Sequence, residues 1–376
     1  MKFYCDKAEL LTAVQTAGRA VASKSTMPAL EGLLLQTSGA ELIVSGYDLK
    51  TGIRTRIEAE VDTPGSIVLN SKLFTDIIRN MPSDKLTIDC NNLMVKISCY
   101  ASEFEILGSS ADDFPELPAV DTENQIRLPE GVFKSIISET LFAVSENDNK
   151  PIHTGSLFEI NGPNLTVISV DGYRLALRRE NIGEYNGQLV EGQTDSFVVP
   201  GTMLGELKNI CSDSEGLAAI TVGSRYIMCK VRETEIISRR LEGEFLDYKR
   251  SIPEQSKIEI DVDRKALTTS IERVSLIIND TLKSPLRVTL DDGVVKLKAL
   301  TPVGKANDEC LIKGDGGGLE IGFNNRYMLD ALKAAPSDEI KMKFNTAVNP
   351  CIITPSDEND DSFLYMILPV RITSAG

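Results

Sequence analysis

Tryptophan is absent from this sequence, and histidine occurs only once, at position 153. A Ser-His-Asp triad or a histidine-based metal site would have to be built around that single imidazole. The flanking residues 150–155 contain no cysteine and no second histidine. We therefore expect His153 to be a surface or pocket-lining side chain rather than a catalytic group or a metal ligand.

The cysteines do not form a recognisable framework. Their number is odd, they are scattered along the chain, and no two follow the C-x-x-C spacing of zinc and redox sites. This distribution predicts buried, reduced thiols. The seven positions are Cys5, Cys90, Cys99, Cys211, Cys229, Cys310 and Cys351.

Long apolar runs and nucleotide-binding loops are missing as well. No apolar stretch approaches the roughly 18–20 residues that span a bilayer, and residues 1–6 do not resemble a signal peptide, so we expect a cytoplasmic protein. Residues 304–306 lack the upstream glycine and the hydroxyl of a phosphate loop. The glycine run at 314–318 is typical of a hairpin turn, and the acidic runs at 112–113 and 357–361 are typical of solvated loops. The sequence therefore predicts no active site, no metal and no cofactor.

Positive charge is also in short supply. The chain of 376 residues has 40 Lys and Arg against 55 Asp and Glu, a formal net charge of −15. Taken alone, this balance argues against binding to nucleic acid. The length predicts two or three domains with cores of their own.

The most informative feature that is present is an internal repeat. A strand, a polar turn and a helix recur at 67–78, 197–207 and 320–332, about 130 residues apart. Each copy is followed by strands of alternating polarity, such as 85–90 and 339–344. The period is therefore the size of a domain.

The first half of each period matches the second half. Helices predicted near 7–14, 131–137 and 264–274 each lead into hairpin-like strands. We therefore predict an α+β fold with three repeated domains, each made of two β-α-β-β-β half-repeats. The predicted domains are residues 1–121, 126–253 and 254–376.

At this level the chain resembles the bacterial DNA polymerase III beta subunits, the sliding clamps. The resemblance extends from Met1 to Ile372. Residues 373–376 extend past the usual end of the family, and no role is predicted for them. Five short motifs in the family's order carry the resemblance: Ser25–Leu30, Asp113–Pro115, Asp171–Ala176, Gly243–Tyr248 and Met366–Arg371.

The resemblance implies three DNA-clamp domains per chain and a head-to-tail homodimer that forms a six-domain ring around duplex DNA. Such a ring holds the polymerase on DNA without catalysis and without a cofactor. The implied partners are double-stranded DNA of any sequence, the DNA polymerase III alpha subunit, a clamp loader, and other polymerases and repair proteins with clamp-binding motifs. No membrane is involved.

The resemblance also assigns DNA-facing residues. They are Lys24 in the loop before Pro28, Lys72 and Arg79 flanking the second helix of the first domain, and Asn147 and Lys150 in the second domain. The alternative for each is an ordinary solvated side chain. In the family, basic residues often follow the strand that ends here at Pro200, but Gly201 and Thr202 take those positions.

A groove for short linear peptides is implied in the second and third domains. Core packing is the alternative for its apolar members. His153 stands where the family usually has an apolar residue, and Tyr173 replaces a common histidine. The predicted groove residues are His153, Thr154, Val170, Gly172, Tyr173, Arg174, Leu175, Leu246, Arg250, Asn324, Tyr327, Val348, Met366, Leu368, Pro369, Val370 and Arg371.

For the dimer contact, the resemblance places Phe104 and Ile106 opposite Ile277 and Ile278 of the second copy. Intramolecular core packing is again the alternative. Two other classes of protein remain open from the residues alone: a metal-dependent nuclease and a scaffold that binds only proteins. A ring accommodates the charge of −15, because a chain this acidic should bind free DNA poorly and hold it by enclosure.

Overall fold

The computed structural model describes residues 1–120, 125–147, 149–186, 194–278 and 284–372. All seven cysteines are free and buried, which confirms the prediction for these residues. Among the described residues, no group of three or more potential ligands is placed to hold a metal ion. No helix in the described part of the chain has the length and hydrophobicity needed to cross a membrane.

Strands dominate the described residues, and α-helices punctuate them, so the predicted α+β class is confirmed. The strands are β1 Lys2–Asp6, β2 Gly32–Ser38, β3 Glu41–Tyr47, β4 Thr51–Glu58, β5 Glu60–Thr63, β6 Ser66–Asn70, β7 Lys85–Asn91, β8 Met94–Cys99, β9 Ser102–Leu107, β10 Gln125–Pro129, β11 Gly155–Asn161, β12 Asn164–Val170, β13 Arg174–Asn181, β14 Thr194–Pro200, β15 Leu217–Val222, β16 Tyr226–Val231, β17 Thr234–Arg239, β18 Ile258–Asp263, β19 Leu286–Thr301, β20 Gly304–Phe323, β21 Glu339–Phe344, β22 Cys351–Pro355 and β23 Phe363–Ile367. The α-helices are α1 Lys7–Ala17, α2 Ser71–Asn80, α3 Glu130–Thr140, α4 Gly183–Asn186, α5 Gly201–Ile210, α6 Arg264–Ser275 and α7 Asn325–Ala334.

Several of these helices directly follow a strand, and a capping residue stands at the junction. Asp6, Asn70, Asp263 and Asn324 each accept hydrogen bonds from backbone N–H groups of the first helical turn. Such caps satisfy N–H groups that the helix itself leaves free, and each contributes about 1 kcal/mol. The repeated strand-turn-helix pattern in the sequence therefore has a local physical cause.

The chain divides into two compact units. Unit 1 comprises 1–134 and 205–240, and it contains two sheets, ordered β5-β1-β7-β8-β9 and β10-β15-β16-β17-β4-β3-β2-β6. Unit 2 comprises 135–204 and 241–376, with one sheet ordered β14-β11-β12-β13-β23-β22-β21-β18-β20-β19. In unit 1, one core contains the fully buried side chains of Phe3 from β1, Leu10 from α1 and Phe74 from α2.

These units differ from the predicted domains because two sheets continue across the predicted boundaries. β4 pairs with β17, and the facing hydroxyls of Thr55 and Thr234 lie 2.9 Å apart. β13 pairs with β23 in the same antiparallel manner. The middle predicted domain thus contributes strands to both sheets. The boundary predicted after residue 121 lies outside the described residues, as do residues 373–376.

One local prediction is wrong. The glycine run 314–318 is not a hairpin turn but lies inside the long strand β20. Gly314, Gly317 and Gly318 have φ of 122°, 59° and 75°, and the register with β19 shifts beside them. Glycine permits such positive φ values, so the chain can bulge here and continue as a strand.

Candidate functional site

An apolar cluster in unit 2 lies where β13 meets β23. Leu175 is paired with Met366 across these strands, and both side chains are buried. Val170, at the end of β12, joins the same cluster. We call the whole set the unit 2 cluster; its buried members are Leu157, Ile168, Val170, Leu175, Leu177, Val198, Tyr248, Ile352 and Met366.

The margin of the unit 2 cluster is only partly covered. Ile152, Phe245 and Leu364 are half-buried and pack against it. Leu246 stands next to Phe245 with 43% of its surface exposed, and Val370 is 37% exposed. The site thus has a buried apolar floor and accessible apolar side chains at its edge. This composition is typical of sites that bind the apolar anchor residues of an extended peptide.

A short polar turn fixes one side of this margin. The Asp171 Oδ1 atom accepts hydrogen bonds from the backbone N–H groups of Tyr173, at 2.9 Å, and Arg174, at 3.0 Å. Gly172 between them has φ of 90°, a conformation that glycine adopts without strain. The Arg174 Nε atom returns to Asp171 Oδ2 at 2.8 Å, and another guanidinium nitrogen reaches Asp330 Oδ2 at 2.5 Å.

The C-terminal segment is tied to the same turn. The Leu368 backbone N–H donates to the Tyr173 carbonyl oxygen at 2.9 Å, and the Val370 N–H donates to the carbonyl of Gly322 at 2.9 Å. Pro369 between them is half-buried. These bonds hold residues 368–370 at a fixed distance from the edge of the unit 2 cluster.

His153 and Thr154 lie in the 3-10 helix Pro151–Thr154. The His153 ring meets the Phe245 ring edge-on, with centroids 5.4 Å apart. Burial, followed by the nearby Lys150 charge, lowers the pKa of the imidazole, which favours the neutral form of the ring. The Thr154 hydroxyl donates to the Pro151 carbonyl at 2.7 Å. Of the two, the His153 ring is the one that contacts Phe245.

The remaining predicted groove residues lie in different local environments. Tyr327, in the first turn of α7, is half-buried against the core of unit 2. Asn324 caps that helix, and its Oδ1 atom accepts from the Tyr327 N–H at 3.3 Å. Val348 and Arg371 are exposed, and Arg250 is an exposed side chain paired with Asp247 at 2.9 Å. The predicted cluster of Arg174, Arg250 and Arg371 stays a prediction.

Sequence reasoning missed several members of this site. Leu177, Phe245 and Tyr248 belong to the unit 2 cluster or pack on it, yet only Leu246 was predicted from the same segment. The signal was available, because Gly243–Tyr248 recurs as a motif at the end of a repeat. Tyr248 is anchored by its hydroxyl, which donates to Glu159 Oε2 at 2.6 Å.

The predicted DNA-facing residues are all exposed. Lys72 and Arg79 lie inside α2, in its first and last turns, and do not flank it. Arg79 is paired with Asp76 at 2.6 Å, whereas within the described residues Lys24 and Lys72 have no carboxylate at ion-pair distance. Asn147 accepts from the Asn149 N–H at 2.9 Å through its Oδ1 atom, and the Lys150 carbonyl accepts from the His153 N–H.

Other helices carry cations that the sequence reasoning did not single out. Lys134 pairs with Asp213 at 3.0 Å, and Lys333 pairs with Glu272 at 2.7 Å. Arg273 pairs with Asp308 at 2.5 Å. Because each cation already has a carboxylate beside it, its attraction for a DNA phosphate is reduced.

The predicted dimer-contact residues lie on two different units. β9 is the last strand of its sheet, and Phe104 on it is 42% exposed, while Ile106 is half-buried against the core. Ile277 and Ile278 follow α6 and pack partly against the core of unit 2. Their neighbour Leu276, which the sequence reasoning did not name, is 85% exposed.

Comparison with known proteins places the whole chain in one class. Models of the DNA polymerase III beta subunit match three segments: the N-terminal domain at residues 1–118, the central domain at 127–247 and the C-terminal domain at 249–371. The chain belongs to the DNA polymerase III beta subunit family. This confirms the predicted family and the three-domain fold. Members of this family are non-enzymatic processivity factors, which agrees with the predicted lack of an active site.

Individual relatives are similar over their full lengths. The chain is 32% identical to the beta sliding clamp of Halalkalibacterium halodurans, over 99% of this chain and 100% of that protein. The crystal structure of the Bacillus subtilis DNA polymerase sliding clamp superposes with a TM-score of 0.93 at 30% identity, covering 99% of this chain and 100% of that one. A Pseudomonas aeruginosa sliding clamp bound to griselimycin superposes with a TM-score of 0.91 at 25% identity, over 99% and 100% of the two chains.

Proposed function

We propose that this protein is a DNA sliding clamp, a homodimeric ring that encloses duplex DNA and tethers the replicative polymerase and other proteins through a peptide site on unit 2. The observation that carries the peptide site is the unit 2 cluster, a buried apolar floor bordered by exposed Tyr173, Leu246 and Val370. Extended peptides bind such surfaces with apolar anchors, and the fixed backbone of the Asp171 turn supplies the polar contacts.

Enclosure rather than adhesion fits the charges of this chain. The net charge is −15, and several helix cations, such as Lys134 and Lys333, are already paired with carboxylates. Strong attraction to phosphates would slow movement along DNA, because each phosphate contact releases counterions and adds to the affinity. We propose that Lys24, Lys72, Arg79, Asn147 and Lys150 make weak, sequence-independent contacts with the backbone.

The free edge of unit 1 supports the proposed ring. β9 pairs with β8 and ends its sheet, and an uncovered strand edge favours pairing with another chain. We propose that Phe104 and Ile106 contact Ile277 and Ile278 of the second copy. A heterologous contact of this kind closes into a ring when the rotation between subunits is right.

The partners we propose are the DNA polymerase III alpha subunit, an ATP-driven clamp loader that opens the ring, and other polymerases and repair proteins with clamp-binding motifs. A protein that serves replication of a bacterial chromosome acts in the cytoplasm, and that is the compartment we propose. The proposed domain boundaries are 1–121, 126–253 and 254–376.

Each chain should offer one peptide site, although its fold repeats. In unit 1, Asp48 holds the N–H groups of Lys50 and Thr51 at 2.8 and 2.6 Å, as Asp171 does in unit 2. The position equivalent to Leu175 is Gly52, where an added Cβ would lie 2.9 Å from the Leu117 side chain. The chain's own Leu117 therefore fills the space that an apolar anchor would need.

Calorimetric titration with a consensus clamp-binding peptide tests this function. We expect saturable binding with one peptide per chain. Two equivalent peptides per chain would contradict the difference between the two junctions, and no binding at all would contradict the proposed peptide site.

A further inference from the structure

A column of stacked planar groups stands at the rim of the unit 2 cluster. The rings of Tyr173 and Tyr327 lie 6.0 Å apart, centroid to centroid, with their planes 29° apart. The Arg174 guanidinium lies 4.4 Å from the Tyr327 centroid and 5.5 Å from that of Phe142. Phe142 in turn meets Tyr365 edge-on at 5.2 Å. Tyr173 is the open end of this column, with 60% of its surface exposed.

The column is fixed before any ligand arrives. Arg174 is held by the carboxylates of Asp171 and Asp330, at 2.8 and 2.5 Å. The Tyr173 backbone is bonded at both polar groups, with its N–H donating to Asp171 and its carbonyl accepting from Leu368. When a ligand stacks on Tyr173, the protein therefore loses little conformational entropy.

The free side of Tyr173 is open to solvent. Most of the Tyr173 surface remains exposed, although one side of the ring lies against Tyr327. Tyr327 in turn contacts the Arg174 guanidinium. Exposed aromatic faces attract a second ring in an offset or edge-on arrangement, with a gain beyond that of the buried area.

We propose that Tyr173 is a specificity-determining residue, which selects peptides that place an aromatic side chain against the rim of the unit 2 cluster. This inference rests on the peptide-binding function proposed above. It adds a preference in chemistry: a ring at one peptide position is favoured over an aliphatic side chain of similar size. From the energy of aromatic pairs, the expected preference is about three- to tenfold in affinity.

The absence of tryptophan from the chain makes this testable by fluorescence. A consensus clamp-binding peptide is prepared as pairs that carry either tryptophan or leucine at one position, and the position is moved along the peptide and its flanks. The tryptophan peptides report their own binding, because the protein contributes no tryptophan emission, and the leucine peptides are measured by competition. At one position we expect the tryptophan peptide to bind about three- to tenfold more tightly than its leucine counterpart.

The variants Tyr173→Ala and Tyr173→Phe decide the origin of that preference. In Tyr173→Ala the ratio of the two affinities should fall to about one, and in Tyr173→Phe it should remain, because phenylalanine keeps the ring. A ratio unchanged in Tyr173→Ala, or no position with a preference, would overturn the inference while leaving the peptide site intact. Failure of every peptide to bind the unsubstituted chain would overturn the peptide site and the inference together.

Discussion

Replacing Phe104 with aspartate is expected to convert the dimer into monomers at micromolar concentration. Phe104 is 42% exposed within one chain and lies on an edge strand, so we expect the substituted chain to fold. In the proposed dimer, however, the new carboxylate would be buried against Ile277 and Ile278 without a cation. We expect a loss of about 3 kcal/mol at each of the two interfaces of the ring, which is about 6 kcal/mol per dimer, or roughly ten-thousandfold in Kd. Light scattering coupled to size-exclusion chromatography measures the mass directly.

Leu49→Asp provides the matched control. Leu49 is also an exposed apolar side chain of unit 1. Its backbone has φ of 72°, a conformation that aspartate adopts with less strain than leucine. This variant should remain a dimer. A dimeric Phe104→Asp, or a monomer for the unsubstituted chain, would show that β9 is not the dimer contact.

Replacing Met366 with alanine is expected to weaken binding of a consensus clamp-binding peptide by about tenfold or more, which corresponds to about 1.4 kcal/mol. Met366 lies in the floor of the unit 2 cluster, opposite Leu175. Its unbranched side chain adapts to a neighbouring apolar group, so removing it leaves the anchor of the peptide with fewer contacts. Calorimetry with the unsubstituted chain as reference gives the change in Kd.

The substitution also costs stability, and Met342→Ala corrects for that. Met342 is equally buried but belongs to the other core of unit 2. Both variants should lose about 2–5 kcal/mol of unfolding free energy, whereas only Met366→Ala should lose affinity. Equal affinities in the two variants would place Met366 in the general core and outside the peptide site.

Much of the architecture could be predicted from the sequence because the repeat is visible in the residues themselves. The caps Asp6, Asn70, Asp263 and Asn324 mark where strands give way to helices, and the apolar spacing of α1, α3 and α6 agrees with the predicted helices. The family followed from five motifs in the right order. Local chemistry and periodicity therefore predicted the elements and their class.

What could not be predicted depends on pairing between distant strands. β4 pairs with β17 across 179 residues at Thr55–Thr234, and β13 pairs with β23 across 185 residues at Arg178–Phe363. No local pattern specifies such a match. The same is true of the glycine run in β20, where the partner strand, rather than the glycines, decides between a turn and a bulge. Leu117 filling the space beside Gly52 is likewise a tertiary contact.

Retention on circular DNA shows whether this protein encloses the duplex. The protein is loaded with a clamp loader and ATP onto nicked circular DNA, separated from free protein by gel filtration, and the DNA is then cut once. We predict that the protein stays with the circle through filtration and is lost after linearisation, because it holds DNA by enclosure. Retention on the linear form, or strong salt-sensitive binding to short linear duplex, would contradict the account.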